Sequence, residues 1–547
     1  MIGVIYRKHQ KEIVEEFFEL FKTPWEPWRE DASYDVVLTT DPDAPIPHAK
    51  LVIAFGTETT RHDRRNGFKI LSLESRVDIE WEGSRIPIYG QLATFEEPNR
   101  AFLNIRGGKV AGLSLDLPGC KVLRIGYDLF DEIDHLLRRG QPVEQARVPT
   151  LELQIAMLRK WILDNDIPLV EIPPSPHGYD FITCLTHDID FMEIRAHRFD
   201  HSVLGFAYRS VIPKYLKGLD RKTARARYLK NIKSLLSLPF IHVGLLPDIW
   251  YPLDRYSQVE KDLKSTFFFI PFKDHPGEAP DGGKNRYRAA RYDICRYKEP
   301  IRCLTRHGCE VGLHGIDAWR DPWKGREELE VIRRITGEKR IGVRMHWLYF
   351  SDETPRHLEE AGAYYDSTLG YNEAVGYRSG TTQVFRLPGN SRIFELPLHV
   401  QDTAMLYPGR MGLSEHAAID LCGQLIGDMK THGGVFTLNW HDRSMSPERN
   451  WDDAYLAILG ILTKERTWFA TAGAAVAWFE KRRTVRFEDF RSVDGLPKGT
   501  LRTTEWMGGP PLTIRVNRPM TLPNGERESQ DYCVDLQANS VMRLSEG

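Results

Sequence analysis

Short apolar runs alternate with helical patterns through the middle of this chain, and that alternation limits the possible folds more than any other feature. The apolar runs predict strands at Phe181–Leu185, Ser265–Pro271, Glu310–Leu313, Ile341–Met345, Ile393–Val400, Val435–Asn439 and Trp468–Thr471. Helical patterns lie between them, for example at Glu327–Ile335, Glu415–Thr431 and Asp452–Arg466. Strands that alternate with helices in this way indicate an α/β fold, either a parallel sheet or a (β/α) barrel.

The chain is long enough for several domains, because 547 residues exceed what one typical core accommodates. Residues 1–176 alternate β-like and helical patterns and predict a small α/β domain of unknown role, ending near the proline-rich stretch Ile172–Pro176. Residues 177–483 form the barrel-like region, with an insertion at about 195–256. Residues 484–547 are rich in Pro, Gly, Thr and Arg and predict a small β-rich appendage.

Composition excludes some classes of function. The formal net charge is −2, so no global field favours nucleic acid or an anionic membrane. The N-terminus lacks the pattern of a signal peptide, and no apolar run is long enough to span a bilayer. The 7 cysteines are scattered and form no Cys-x-x-Cys pair, which argues against a disulfide framework or a zinc finger. We therefore expect a cytoplasmic protein.

The insertion carries a basic segment, Arg221–Leu238, that alternates Lys and Arg with apolar residues at helical spacing. One interpretation is the solvated face of an amphipathic helix. The other is a surface for an anionic membrane or a diphosphate-bearing substrate. Peripheral membrane contact without a transmembrane segment is therefore one expectation for this region.

Two aspartates, Asp188 and Asp190, follow directly after the first predicted strand in the sequence Thr186-His187-Asp188-Ile189-Asp190. Residues two apart on an extended backbone project to the same side, so both carboxylates can reach one site. One could hold a divalent cation while the other acts as a base toward water. The alternatives are a turn that caps the next helix, or the Asp-x-Asp motif of a metal-binding glycosyltransferase.

Further candidate residues follow three later strands. His314 comes after Glu310–Leu313 and offers an imidazole ligand for zinc, iron or cobalt. Arg344 and His346 end the strand at Ile341–Met345; the arginine could orient a carboxylate, and the histidine could reach the same metal. His441 follows Val435–Asn439 and suits a general acid. Taken singly, each histidine is explained equally well by a structural role, but a barrel would gather all four positions together.

With these motifs in this order, the chain resembles the NodB-like polysaccharide deacetylases, carbohydrate esterases built on a distorted (β/α) barrel. The aspartate pair resembles a variant of the family's first motif in which one residue separates the two carboxylates. Ser265–Phe269 resembles the second strand of the family, and Ala470–Arg483 resembles its closing strand and helix. The resemblance covers about residues 179–483 and leaves both flanking regions unexplained.

The resemblance implies a role for each matching residue. Asp188 matches the catalytic base and Asp190 the metal-binding carboxylate, although the altered spacing allows these two roles to be exchanged. His314 matches the first metal-binding histidine, and Arg344 the arginine that positions the base. Further along, Trp347 stands where a backbone N–H contributes to the oxyanion hole, and His441 matches the general acid, for which Asp402 is the candidate partner.

One departure concerns the metal. Position 318, four residues after His314, is alanine, so the second metal-binding histidine of the family is absent. We predict that His346 supplies the missing imidazole, with Asp317 and His399 as alternatives. The predicted cofactor is a divalent transition metal, with zinc first and iron, cobalt or nickel as alternatives.

The sequence thus predicts a metal-dependent hydrolase that deacetylates an N-acetylated sugar during surface-polysaccharide biosynthesis. The expected substrate is a nucleotide sugar or a lipid-linked glycan intermediate. Two other functions stay open: a metal-dependent glycosyltransferase that uses Asp188 and Asp190, and a catalytically silent scaffold that binds carbohydrate. No nucleic-acid partner is expected, and the sequence leaves the oligomeric state open.

Overall fold

The computed structural model describes residues 1–45, 47–198, 200–212, 221–389, 391–493, 496–503, 508–521, 527–534 and 541–544. The chain divides into two compact units. The first unit comprises residues 1–178, 379–390 and 477–547, and the second comprises residues 179–378 and 391–476. Each is described separately below.

Ten strands and four helices precede residue 179. The strands are β1 Ile2–Ile5, β2 Trp25–Pro27, β3 Val36–Thr39, β4 Leu51–Phe55, β5 Ile70–Trp81, β6 Ser84–Phe95, β7 Ala101–Ile105, β8 Val110–Leu117, β9 Cys120–Ile125 and β10 Leu169–Glu171. The helices are α1 Lys11–Phe21, α2 Arg61–Asn66, α3 Leu129–Arg138 and α4 Thr150–Leu163.

The described elements from residue 179 to the end of the last helix are strands and helices that are interspersed along the chain. The strands are β11 Phe181–Ile189, β12 Ser265–Phe269, β13 Glu310–Gly315, β14 Val343–Met345, β15 Tyr365–Asp366, β16 Phe385–Arg386, β17 Phe394–Glu395, β18 Val400–Gln401, β19 Val435–Asn439 and β20 Thr467–Phe469. The helices are α5 His201–Val211, α6 Arg221–His242, α7 Leu253–Val259, α8 Lys298–Arg306, α9 Pro322–Thr336, α10 Thr354–Ala361, α11 Asp402–Leu406, α12 Glu415–His432, α13 Asp452–Leu462 and α14 Ala472–Thr484.

The first unit contains a mixed nine-stranded sheet in the order β2-β1-β3-β4-β9-β8-β6-β5-β7. Strand β5 is 12 residues long. Its side chains alternate between covered and exposed positions, as expected for a hairpin with one face toward solvent. Near the C-terminus, β21 Arg486–Val493, β22 Leu496–Arg502, β23 Leu512–Thr521, β24 Arg527–Val534 and β25 Val541–Leu544 follow. They belong to two small antiparallel sheets, in the orders β21-β22-β25 and β10-β23-β24.

The second unit is a mixed α/β structure whose sheet curls into a half-barrel. Strand β11 lies inside this sheet and pairs in parallel with β12, β19 and β20. Strands β12, β13, β14 and β15 continue as parallel neighbours. All nine residues of β11 are buried, in agreement with a parallel strand that is covered on both faces.

One predicted strand is interrupted. The run Ile393–Val400 was predicted as one element, but only Phe394–Glu395 and Val400–Gln401 are strands. Pro397 lies between them, and proline has no N–H to donate to a neighbouring strand. The prediction of one continuous strand was therefore wrong.

The insertion after β11 contains two helices, α5 and α6, that pack on a small apolar cluster of their own. Ile194, Phe206, Leu238, Ile241 and Trp250 form this cluster and are at least nine-tenths buried. Across the ranges given above, no helix is both long enough and apolar enough to cross a bilayer.

Candidate metal and catalytic site

The carboxyl end of β11 carries both aspartates of the first motif. Asp188 is buried on the strand, and Asp190 follows immediately after its last residue. His187, the residue before Asp188, makes contacts of a different kind. Its ring hydrogen-bonds to the carbonyl of Trp440 and to the carboxylate of Glu260. His187 is thus engaged elsewhere, and Asp188 and Asp190 contact a different set of residues.

Asp188 is held on both oxygens. Its Oδ1 accepts a hydrogen bond from Nη1 of Arg344 at 3.0 Å, and its Oδ2 accepts one from Nδ2 of Asn439 at 2.8 Å. Burial alone would raise the pKa of Asp188, but the charges of Arg344, His314 and His441 lower it below its ordinary value. The carboxylate is therefore kept anionic in a buried position.

Arg344 is fully buried and fixed by hydrogen bonds. Its Nη1 also donates to Thr186 at 2.8 Å, while Nε and Nη2 donate to the carbonyl and hydroxyl oxygens of Ser367 at 3.0 and 2.9 Å. The guanidinium carbon lies 4.6 Å from the ring centroid of Phe268. With these contacts the guanidinium has one orientation, and it presents one N–H to Asp188.

Asp190, His314 and His346 form a group suited to a metal ion. One ligand atom from each residue lies within 4.8 Å of the others. Oδ1 of Asp190 is 3.3 Å from Nε2 of His314 and 3.6 Å from Nε2 of His346. The sequence predicted this set of three, and the fold brings them together from the ends of β11, β13 and β14.

The donor set fits a divalent transition metal on chemical grounds. The Oδ1 atom of Asp190 is buried yet accepts no hydrogen bond of ordinary geometry. Nδ1 of His314 lies 2.9 Å from the carbonyl of Arg344, which leaves Nε2 with a lone pair for a ligand bond. Burial lowers the pKa of His346 to about 3, so its ring is neutral at neutral pH. Two imidazoles and one carboxylate are ligands that zinc and similar ions accept.

The other two residues proposed for the third ligand lie elsewhere. Asp317 accepts hydrogen bonds from His275, Arg320 and the backbone of Glu278. His399 lies near the backbone N–H of Thr437, at 3.4 Å. Neither belongs to the three-residue group.

His441 and Asp402 form a second pair beside Asp188. Nδ1 of His441 is 2.6 Å from Oδ1 of Asp402, and Nε2 of His441 is 4.0 Å from Oδ2 of Asp188. Burial alone would lower the pKa of His441, but the charge and hydrogen bond of Asp402 raise it to about 9. The imidazole is consequently a cation at neutral pH, with a proton on Nε2 available to donate.

Trp347 lies in the turn after β14. Its backbone φ is 65°, in the left-handed region, and the next residue, Leu348, has a φ of 55°. Non-glycine residues rarely adopt this conformation, and such positions concentrate at functional sites. The side chain of Trp347 is 37% exposed.

Sequence reasoning assigned no role to Asn439, Thr186 or Ser367, although all three contact Asp188 or Arg344. Asn439 is the last residue of β19, and it lies opposite Thr186 in the register of β11 and β19. Its position at a strand end beside the aspartate motif was the available signal. Ser367 follows β15 and had no signal, because an isolated serine in a loop is common.

A buried carboxyl pair lies behind Arg344. Asp366 and Glu395 are register partners on β15 and β17, and both are fully buried. Oε1 of Glu395 accepts a hydrogen bond from the backbone N–H of Leu369 at 2.7 Å. Burial raises the pKa of Asp366 to about 7, and burial together with the charge of Asp366 raises that of Glu395 well above its ordinary value. The pair therefore favours at least one protonated carboxyl.

Comparison with known proteins returns matches among solved structures alone. No family model matches the chain, and no curated protein matches it. A putative polysaccharide deacetylase from Mycobacterium smegmatis is 20% identical, with a TM-score of 0.32, and the match covers 57% of this chain and 95% of that one. A probable polysaccharide deacetylase from Pseudomonas aeruginosa PAO1 is 18% identical, with a TM-score of 0.34, covering 56% and 95%. A CE4 family pseudoenzyme from Bacillus anthracis is 12% identical, with a TM-score of 0.24, covering 54% and 68%.

Proposed function

We propose that this chain is a metal-dependent hydrolase that removes the acetyl group from an N-acetylated sugar. One observation carries the proposal: a single carboxylate oxygen, Oδ2 of Asp188, lies between the imidazoles of two histidines. One is His314, which belongs with Asp190 and His346 to the metal-type group, and the other is the protonated His441. The Asp188 oxygen is 3.9 Å from Nε2 of His314 and 4.0 Å from Nε2 of His441. Amide hydrolysis needs a base and an acid on either side of the reacting carbon, close to an electrophile.

Asp190, His314 and His346 would hold the metal. A divalent transition metal there, zinc in the first place, would polarise the acetyl carbonyl and make a water more acidic. Asp188 would accept a proton at Oδ2 from the water whose oxygen adds to the acetyl carbon, because Arg344 and Asn439 keep the carboxylate anionic and oriented. The backbone N–H of Trp347 is the proposed donor to the oxyanion.

His441 completes the reaction by giving its Nε2 proton to the sugar nitrogen as the amide bond breaks. Asp402 keeps the imidazole oriented through Nδ1 and keeps it protonated at neutral pH. A protonated donor is needed because an amine is a poor leaving group without a proton.

The geometry favours hydrolysis over glycosyl transfer. A glycosyltransferase that holds a metal–diphosphate on an Asp-x-Asp motif has no need for His314, His346 and His441 at the strand ends beside it. Here Asp188 has both oxygens engaged by Arg344 and Asn439, and only Asp190 belongs to the group with the two histidines. A silent carbohydrate-binding scaffold would have no use for the charged pair formed by His441 and Asp402.

The proposed substrate is a nucleotide sugar or a lipid-linked glycan intermediate in the biosynthesis of a surface polysaccharide. Both present an N-acetyl group next to a pyranose ring, as the proposed chemistry requires. Release of acetate from each class would distinguish them.

The test begins with metal content, measured by elemental mass spectrometry on wild type, His314→Ala and His416→Ala prepared identically. His416 is a suitable control because it is an exposed histidine on α12, 88% exposed at its side chain and paired with Asp420. We expect near-stoichiometric metal in wild type and His416→Ala, and little in His314→Ala.

Acetate release is then assayed over N-acetylated nucleotide sugars and lipid-linked glycans. Metal-loaded wild type should release acetate, and His314→Ala should not. A wild-type protein that takes up no transition metal on reconstitution would overturn the mechanism and favour the silent scaffold. Metal uptake without acetate release from either class would overturn the proposed substrates.

A further inference from the structure

The insertion after β11 exposes an unusual amount of apolar side chain. Half of the large hydrophobic residues that are exposed in the described part of the chain lie between Leu204 and Leu246. Leu236, Val243 and Leu245 are 69%, 70% and 72% exposed. Scattered exposed leucines are normal, but a concentration of them in one segment marks an interaction surface.

Helix α6 is apolar on two opposite sides. Its inner side places Leu238 and Ile241 in the cluster with Phe206 and Trp250. Its outer face, which we define as Leu229, Lys233, Leu236, Phe240 and Val243, repeats at intervals of three, four and seven residues and is exposed. The spacing places these residues on one stripe of the helix. A helix that is apolar on both sides is usually covered on both.

The charged residues on the same stripe indicate which kind of partner covers the outer face. Towards its N-terminus the stripe continues through Lys222 and Arg225, which are exposed. Two other cations of α6 form ion pairs within the chain. Arg227 pairs with Glu415 and Asp453, and Lys230 pairs with Asp452. The sequences 201–212 and 221–247 contain no aspartate or glutamate. The outer face therefore combines exposed apolar side chains with the exposed cations Arg225 and Lys233.

We propose that the outer face of α6 docks this protein onto an anionic phospholipid bilayer. The helix would lie along the interface, with Leu236, Phe240 and Val243 entering the acyl boundary and the cations contacting lipid phosphates. A second copy of the chain fits less well, because both copies would bring the same positive charge to the contact. Helix α5 extends the surface, since Leu204 and Tyr208 are 64% and 57% exposed.

The docking surface is structurally connected to the candidate site. Phe191, the residue after Asp190, packs against the apolar cluster under α5 and α6. The residue that follows Asp190 thus packs on the same cluster as the inner side of α6. The inference does not depend on the proposed reaction, since it rests on exposed side chains and charge alone.

The experiment is flotation of the full chain with vesicles of phosphatidylcholine, with and without phosphatidylglycerol. One variant, Leu236→Ser/Phe240→Ser/Val243→Ser, removes apolar contacts; a second, Arg225→Gln/Lys233→Gln, removes charge. The control, Leu71→Ser/Leu73→Ser/Leu456→Ser, alters leucines that are 55%, 51% and 45% exposed elsewhere on the chain. All replaced side chains are exposed, and circular dichroism and metal content check that each variant folds as wild type does.

Wild type and the control should float with vesicles containing phosphatidylglycerol and should bind neutral vesicles weakly. The serine variant should lose binding by more than about tenfold. The charge variant should lose roughly 30-fold, from a free energy of about 1 kcal/mol for each cation near the surface. Absence of wild-type binding, or equal binding by all four proteins, would overturn the proposal. So would a wild-type dimer in sedimentation velocity that the serine variant abolishes, because the face would then join two copies.

Discussion

Asp402 contacts His441 twice: one carboxylate oxygen lies 2.6 Å from Nδ1 of the ring, and the other accepts the backbone N–H of the same residue at 2.7 Å. The paired contacts fix both the position of the residue and the orientation of its imidazole. They also place the negative charge on the side of the ring away from Asp188. The proton that the ring can donate is therefore on Nε2, facing the site.

The alkaline side of the pH–rate profile should report this pair. Because Asp402 raises the pKa of His441 to about 9, the imidazole is protonated below that pH, and activity should fall as pH rises through about 9. Asp402→Asn removes the negative charge of the carboxylate, so the alkaline limb of the pH–rate profile should move toward the ordinary histidine pKa of about 6.5. The kcat profile of acetate release measures the shift. Asp420→Asn, which removes the partner of an exposed histidine, should leave the limb in place; identical limbs in Asp402→Asn and wild type would contradict the assignment.

Asp188 and Asn439 should affect turnover without affecting metal binding. Asp188→Asn removes the proposed base and should lower kcat by about 10²- to 10⁴-fold. Asn439→Ala removes a hydrogen bond to a charged group and should lower kcat by roughly 10- to 100-fold, from about 1.5–3 kcal/mol. Both variants should retain metal, because neither residue belongs to the group formed by Asp190 and the two histidines. A full loss of metal in Asp188→Asn would indicate that the two aspartates exchange roles.

The third metal ligand can be tested by substitution at three positions. His346→Ala should lose metal to the same extent as His314→Ala. Asp317→Asn and His399→Gln should retain it, because both side chains lie outside the group and are engaged with other partners. Metal content by elemental mass spectrometry gives the result directly. Retention of metal by His346→Ala would remove it from the ligand set.

The buried pair Asp366 and Glu395 should make stability depend on pH. Folding raises both pKa values. The protonated carboxyls therefore contribute their full stabilisation at low pH, and this contribution is lost as pH rises. For Asp366 the loss should extend from about 4, its unfolded value, to about 7. Glu395→Gln keeps an acceptor for the Leu369 N–H and removes one ionisable group, so the free energy of unfolding should vary less with pH. Denaturant unfolding of wild type and variant at acid and neutral pH measures this; equal pH dependence would show that folding does not raise the pKa of Glu395.

The strands that carry the candidate site could be predicted because each apolar run ends in a polar residue of distinctive chemistry. Asp188, His314, Arg344 and His441 all lie at or just after such ends. Parallel strands place their carboxyl ends at one edge of a sheet, so distant positions meet without further information. The register confirms the neighbours: His314 lies opposite Arg344.

Other features could not be predicted from the pattern of the sequence. Asn439 is an amide at a strand end, and that residue type occurs at many turns, so its position alone was too weak a signal to predict the contact with Asp188. The periodicity of Arg221–Leu238 predicted a helix, but helical spacing alone does not tell which side is covered by the rest of the chain. The break at Pro397 was visible in principle, because proline within an apolar run argues against a continuous strand.

The two histidines of the metal-type group come from neighbouring strands rather than from one loop. Strands β13 and β14 are joined by backbone hydrogen bonds, and His314 and Arg344 are paired across them. A ligand pair on a single loop can separate when that loop opens, whereas here His314 lies on β13 and His346 follows the last residue of β14, so both imidazoles are attached to paired strands of a buried sheet. The barrier to metal exchange is thus coupled to local unfolding of the sheet, and bound metal should dissociate slowly even where its equilibrium affinity is modest.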